Sequence, residues 1–112
     1  MNGEWLFGEN LASLVGIKAA YHAYTHSIFR NNLTEICLPG LNYTAQQMFW
    51  ISAANNFCRK YLNDVDFLFP FDNHSPAKLL VNGIFSDMIE FSKDFNCKIR
   101  TKMNPENKCR VF

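Results

Sequence analysis

The chain has three histidines, ten acidic residues and four cysteines from which metal or acid–base chemistry could be built. His22 and His26 stand four apart in a segment of helical pattern, the spacing used by two zinc ligands on one helix face. In the His-Glu-x-x-His motif the residue after the first histidine is the glutamate that serves as general base, and here it is Ala23. Two histidines alone hold zinc weakly. Glu9 cannot complete the set, because thirteen residues of continuous helix from Glu9 to His22 span roughly 20 Å. On composition alone, His22 and His26 therefore read as polar surface residues. Glu9 reads as a helix-opening acid that offsets the positive end of the helix, worth about 0.3–1 kcal/mol. His74, in a loop just before Ser75-Pro76, reads as a solvated side chain. There is no Gly-rich phosphate cradle, and no serine or cysteine nucleophile is recognisable from its local context.

Cys37, Cys58, Cys97 and Cys109 form no Cys-x-x-Cys pair, so neither a zinc ribbon nor a dithiol redox motif is present. Four cysteines permit three internal pairings, and their spacing does not choose among them. Three glycosylation sequons occur, Asn32-Leu33-Thr34, Asn42-Tyr43-Thr44 and Asn73-His74-Ser75, the last followed by Pro76. Sequons and cysteines together point to an extracellular protein.

The elements that must position these residues are helices. Leu14, Ile17, Tyr21, Tyr24 and Ile28 recur at alternating steps of three and four, which predicts a helix from about Glu9 to Arg30 that ends at Asn31-Asn32. Leu11, Val15, Ala19 and Ala23 add a second apolar stripe and predict a well-buried helix. Pro39-Gly40 marks a turn. Thr44 and Gln47 form a capping-box pattern that opens a second helix, expected to reach about Asn63 with Phe49, Ala53, Phe57 and Tyr61 on one face. Asn55 and Asn56 lie within its apolar run and would need partners if buried. Asp64 to Asn73, with Phe67-Leu68-Phe69-Pro70-Phe71, reads as an apolar loop pressed onto another surface. Ser75-Pro76 predicts a short helix with proline at its first position. Ser86 is the expected N-cap of a last helix, Asp87 to about Phe95, whose Met88, Phe91 and Phe95 face one way. An irregular tail follows, and no stretch alternates like a strand.

The 112 residues allow one small domain. Hydrophobic residues make up 48% and aromatics 15%, a load that either fills a core or leaves an apolar face for another surface. The net charge is +1 with scattered basic residues, which argues against nucleic acid as a partner. No apolar run reaches the length of a membrane span, and Met1–Asn10 has no apolar core of a signal peptide.

Four blocks of residues occur in an order that resembles the end of the neprilysin and endothelin-converting-enzyme family of zinc metalloendopeptidases. They are Gly8-Glu9-Asn10-Leu11-Ala12 running on through Gly16 and Lys18-Ala19-Ala20-Tyr21 to Ala23-Tyr24; Leu38-Pro39-Gly40-Leu41 with Gln47, Phe49 and Cys58; His74-Ser75-Pro76 with Val81-Asn82-Gly83 and Ser86; and Glu90-Phe91, Phe95, Cys97, Met103-Asn104-Pro105, Lys108-Cys109 and Val111. The resemblance implies a mainly α fold, the C-terminal helical subdomain of a thermolysin-like (gluzincin) metallopeptidase domain. Residues 1–112 would be its C-terminal segment, incomplete on the N-terminal side.

Further roles follow from the resemblance alone. Glu9 matches the family's third zinc ligand, and His74 the histidine that stabilises the tetrahedral oxyanion. Where the family has a supporting Asp four residues after the glutamate, this chain has Ser13; where it has a substrate-gripping Arg, this chain has Leu80. Cys58, Cys97 and Cys109 match cysteines that pair with upstream ones, and Cys37 is an addition. No His-Glu-x-x-His occurs in the 112 residues. The chain alone is therefore expected to bind no zinc and to be inactive. Peptide substrate and the remainder of the peptidase domain are the implied partners, and the cell surface or extracellular space the implied location. The alternative is a free-standing, non-catalytic pseudopeptidase or binding module. The isolated chain is expected to fold poorly.

Overall fold

The computed structural model describes residues 3–34, 37–60 and 74–109. Their pattern produces four helices: α1 (Gly3–Arg30), α2 (Ala45–Asn55), α3 (Ala77–Asp87) and α4 (Ile89–Asp94). The fold is mainly α, as the sequence predicts. Among the described residues no strand forms, and the only pairing of that kind is an isolated bridge between Thr101 and Asn104.

α1 is a single rod of 28 residues, roughly 42 Å long at 1.5 Å per residue. It starts six residues before Glu9, which therefore sits in the second turn. The charge–dipole explanation for Glu9 fades accordingly, since that effect is confined to the first turn. The other end is closed where the Asn31-Asn32 pair predicts. Asn32 takes a left-handed φ of 48°. The Leu33 amide donates to the Ile28 carbonyl at 3.1 Å and the Asn32 amide to Phe29 at 3.3 Å, the two reverse bonds of a Schellman stop. Leu14 and Tyr21 on the first stripe are buried, whereas Ala19 and Ala23 on the second are exposed, so α1 is covered on one side only.

α2 opens with the expected capping box. The Gln47 amide donates to Thr44 Oγ1 at 3.1 Å, and Gln47 Oε1 accepts from the Thr44 amide at 3.0 Å. The helix ends at Asn55 rather than near Asn63. Its last turn tightens through bonds from Asn56 to Ala53, Phe57 to Ala54 and Cys58 to Asn55, and Asn55 and Asn56 point to solvent instead of into the core. Tyr61 and the apolar Asp64–Asn73 segment lie outside the described residues.

The Ser86 prediction fails. Ser86 is inside α3, its hydroxyl donating back to the Gly83 carbonyl at 2.8 Å, and the break comes two residues later at the extended Met88. Pro76 stands at the N-cap of α3, one position earlier than expected. α4 ends in a second Schellman stop built on Asn96, with φ 51° and a 2.9 Å bond from the Cys97 amide to the Ser92 carbonyl. The irregular tail is pinned: Lys108 Nζ donates to the Ser86 carbonyl and, at 3.2 Å, to Ser92 Oγ, while Asn104 Nδ2 reaches the Cys97 carbonyl at 2.8 Å. All four cysteines are free thiols.

Trp50 is the centre of the core, with 1% of its surface exposed. Tyr21 stacks on it at 4.6 Å, and Phe85 and Phe91 meet it edge-on at 5.3 and 5.6 Å. Such pairs add about 0.5–1.5 kcal/mol each beyond area burial. Both polar handles of this cluster end on one carboxylate. Trp50 Nε1 donates to Asp94 Oδ2 at 2.6 Å, and the Tyr21 hydroxyl donates to the same oxygen at 2.7 Å. Gln47 Nε2 adds a 2.8 Å bond to the Asp94 carbonyl. Asp94 thus ties α1 and α2 to the end of α4.

Asp94→Ala would strand two donors, and a buried unmet donor costs about 1–3 kcal/mol. We expect a loss of about 2–4 kcal/mol by urea unfolding followed through Trp50 fluorescence. A loss under about 0.5 kcal/mol would show that the carboxylate does not organise the core. Burial first, and the Asp94 hydrogen bond and charge next, push the Tyr21 phenol well above its ordinary value of 10.0. Its stabilising contribution is complete below pH 10 and is lost as pH rises above that, because the unfolded chain ionises first. Tyr21→Phe should therefore flatten the fall in stability above about pH 10, and equal slopes in the two proteins would exclude this origin.

Candidate active site

Glu9 and His74, far apart in the sequence, are neighbours in the fold. α1 carries Glu9 on its second turn, and His74 stands just ahead of α3. Leu14 from α1 and Leu80 and Ile84 from α3 share the hydrophobic core, and this packing sets the two polar residues side by side. His74 Nε2 lies 3.7 Å from Glu9 Oε2. Their side chains are 51% and 46% exposed, so an approaching molecule can reach both. A carboxylate held on a rigid helix beside an imidazole can ligate a cation, orient a proton or stabilise a developing anion.

Ser13 is one turn after Glu9 on α1 and is half-buried. Leu80 is 8% exposed and belongs to the core rather than to the open face. A cavity of about 360 Å³ beside the pair is lined by Phe7, Leu11, Leu14, Leu79, Leu80 and Asn10 among others. Asn10 Oδ1 is buried there without a hydrogen-bond partner.

The structure does not bring His22 and His26 into this face. Both are exposed farther along α1, and His22 Nε2 lies 3.5 Å from Glu90 Oε1 on α4. A larger groove of about 820 Å³ runs between α1 and α2, lined by Ile17, Tyr24, Leu38, Met48, Phe49 and Phe57 among others, and among the described residues no carboxylate or imidazole is in its wall. Among the described residues no group of three His, Cys, Asp or Glu could hold a metal ion. Glu9 fits a zinc site as one carboxylate ligand, but a catalytic zinc takes three protein ligands, so the described residues do not by themselves fit one. Cys58 and Cys109 are exposed and Cys97 is half-buried.

Sequence reading missed Asp94 and Trp50. Trp50 continues the face of Gln47, Ala54 and Phe57 at helical steps and was recoverable from periodicity. Nothing local marks Asp94 as a buried acceptor, because its donors come from two other helices.

Comparison with known proteins decides the family. The family model described as peptidase family M13 matches residues 1–111. The chain belongs to peptidase family M13. It is 40% identical over 113 residues to Neprilysin-3 of Drosophila melanogaster and 41% identical over 113 residues to the endothelin-converting enzyme homolog of Locusta migratoria. It is 36% identical over 117 residues to human Neprilysin. Each alignment covers 100% of this chain but only 14–15% of the relative. The resemblance read from the four sequence blocks is thereby established at the level of a metallopeptidase family.

The exposure of the Glu9–His74 pair separates a functional from a structural role. Half-exposed ion pairs contribute about 0–1 kcal/mol. Glu9→Gln and His74→Ala should each change the unfolding midpoint by an amount equivalent to less than about 1 kcal/mol. A loss of several kcal/mol in either would mark the pair as a fold-holding contact instead.

Proposed function

We propose that this chain is the C-terminal part of the catalytic domain of a neprilysin-like zinc metalloendopeptidase that hydrolyses peptides outside the cell or at its surface. The observation that carries the reading is the 3.7 Å approach of Glu9 to His74 on an open face, combined with membership of peptidase family M13. Glu9 supplies the third zinc ligand, and the remainder of the peptidase domain supplies the two histidines and the general base of the His-Glu-x-x-His helix. Zinc, when bound, provides Lewis-acid polarisation of the scissile carbonyl. His74 donates a hydrogen bond to the oxygen on which negative charge develops. Interactions of that kind, stronger in the transition state than in the ground state, contribute about 2.7–4 kcal/mol. Cys58, Cys97 and Cys109 pair with cysteines of the remainder, and their present freedom and accessibility are compatible with this.

Large apolar side chains near the pair support a missing neighbour. Trp5 and Phe7 on α1 are 67% and 64% exposed and Leu79 on α3 is 53% exposed, apolar side chains that a neighbouring surface would cover.

A second reading, a non-catalytic pseudopeptidase or binding module, draws on two positions. Ser13 brings no negative charge to orient a ligand histidine, and losing such a partner costs about 10–100-fold in metal affinity or activity. Leu80 is packed into the core and offers a peptide backbone no donor.

The test is to isolate the native protein with an antibody against residues 98–109, weigh it, measure its zinc and assay cleavage of an internally quenched peptide. The expected result is a mass well above 13.0 kDa, bound zinc and hydrolysis. Glu9→Gln should abolish zinc retention, and Ser13→Asp should raise zinc affinity or activity by about 10–100-fold. A native species of 13.0 kDa without zinc would sink the peptidase reading and leave the binding module.

A further inference from the structure

The connection between α1 and α2 holds two sequons that the peptidase reading does not use, Asn32-Leu33-Thr34 and Asn42-Tyr43-Thr44. We propose that Asn32 and Asn42 are acceptors of N-linked glycans, an inference that rests on the extracellular location given above. Neither middle residue is proline and both third residues are threonine, as transfer requires. A sequon is a short pattern that arises by chance, so placement in the fold is what carries the inference.

All six sequon residues are exposed. Asn32 occupies the left-handed position that ends α1, where the backbone turns away from the helix and the next residue, Leu33, is 56% exposed. Asn42 lies in irregular chain between the Gly40 turn and the cap of α2, with Tyr43 43% exposed. A bulky polar substituent fits at such positions without displacing core atoms. Distance from the chemistry also favours Asn32. It follows the last turn of α1, and Glu9 is near the other end, roughly 32 Å from Arg30 along a continuous helix. A glycan on Asn32 would leave the Glu9–His74 face open to peptide.

The transfer step balances with a lipid-linked pyrophosphoryl oligosaccharide as donor. The asparagine Nδ2 attacks the anomeric carbon, a carbon–nitrogen bond forms, and the carbon–oxygen bond to pyrophosphate breaks. The lipid pyrophosphate departs with the electron pair, and the amide proton passes to a base of the transferase.

The structure also dictates which substitutions test this cleanly. Gln at position 32 would strain a left-handed backbone position, so the first site is removed by Thr34→Ala, which keeps Asn32 in place. The second is removed by Asn42→Gln, because Thr44 caps α2 through its 3.1 Å bond from the Gln47 amide and must stay. The longest native form of the protein is expressed in cells of its source organism and recovered from microsomes. It is then treated with an amide-releasing glycosidase in heavy-oxygen water, and its peptides are weighed. The expected result is heavy-oxygen aspartate at positions 32 and 42, and a loss of one glycan's mass in each variant and of two in the double variant. Protein that is protease-protected inside microsomes but unmodified at both positions overturns the glycan proposal and leaves the extracellular reading standing. Protein that is digested outside intact microsomes overturns both.

Discussion

One carboxylate oxygen, Asp94 Oδ2, receives the only polar atoms of the two aromatic side chains at the centre of the core. Without it the indole N–H of Trp50 and the phenol of Tyr21 would be shut away from water with nothing to bond. The arrangement is demanding, because a charge that is half withdrawn from solvent is tolerated only when strong donors surround it. Here the donors come from α1 and α2 while the acceptor belongs to α4, so meeting the electrostatic requirement also fixes how three helices meet. The Tyr21 proton is held more tightly as a direct result, burial being the larger cause and Asp94 the next.

The clamp matters for the candidate site because α1 is one uninterrupted rod. Tyr21 fixes its middle through Asp94 and Trp50, and Leu14 fixes the turns closer to Glu9 against Leu80 and Ile84. Glu9 is then carried at a defined height beside the start of α3, where His74 stands. The polar pair itself contributes little to holding this geometry, since both side chains remain half in water. Position comes from the apolar core, and accessibility comes from keeping the charged groups outside it.

What was legible in the sequence follows from how local each determinant is. The long helix, its Asn31-Asn32 stop and the Thr44–Gln47 capping box depend on residues within a turn or two of each other, and all three hold. The Ser86 cap does not hold, although serine is a good cap. Apolar Leu80, Ile84 and Phe85 carry α3 through it, and the chain breaks at Met88, which is itself buried at 2% exposure. α2 stops early at the exposed Asn55-Asn56 pair, although Phe57 just beyond it still packs against the core. α1 starts at Gly3, earlier than the periodicity predicts, because the two glycines at positions 3 and 8 weaken the local helix signal. The Glu9–His74 approach depends on α1 packing against α3 and left no trace in spacing; only the family resemblance had named both residues. Asp94 had neither kind of signal.

Ser13 and Leu80, two positions close to the Glu9–His74 pair, differ in physical standing. Ser13 sits one turn beyond Glu9 on α1 and is half-buried. Changing it alters charge near the site and little else. Leu80 is part of the packing that positions Glu9 against His74, so its identity is coupled to the fold. An arginine there would put a cation at a core position, and a buried unpaired cation costs several kcal/mol. Asn10, whose buried Oδ1 has no hydrogen-bond partner, lines the same cavity as Leu80. An apolar residue at position 80 therefore favours the helix packing. Leu80 thus fills core volume beside the Glu9–His74 face and offers that face no hydrogen-bond donor.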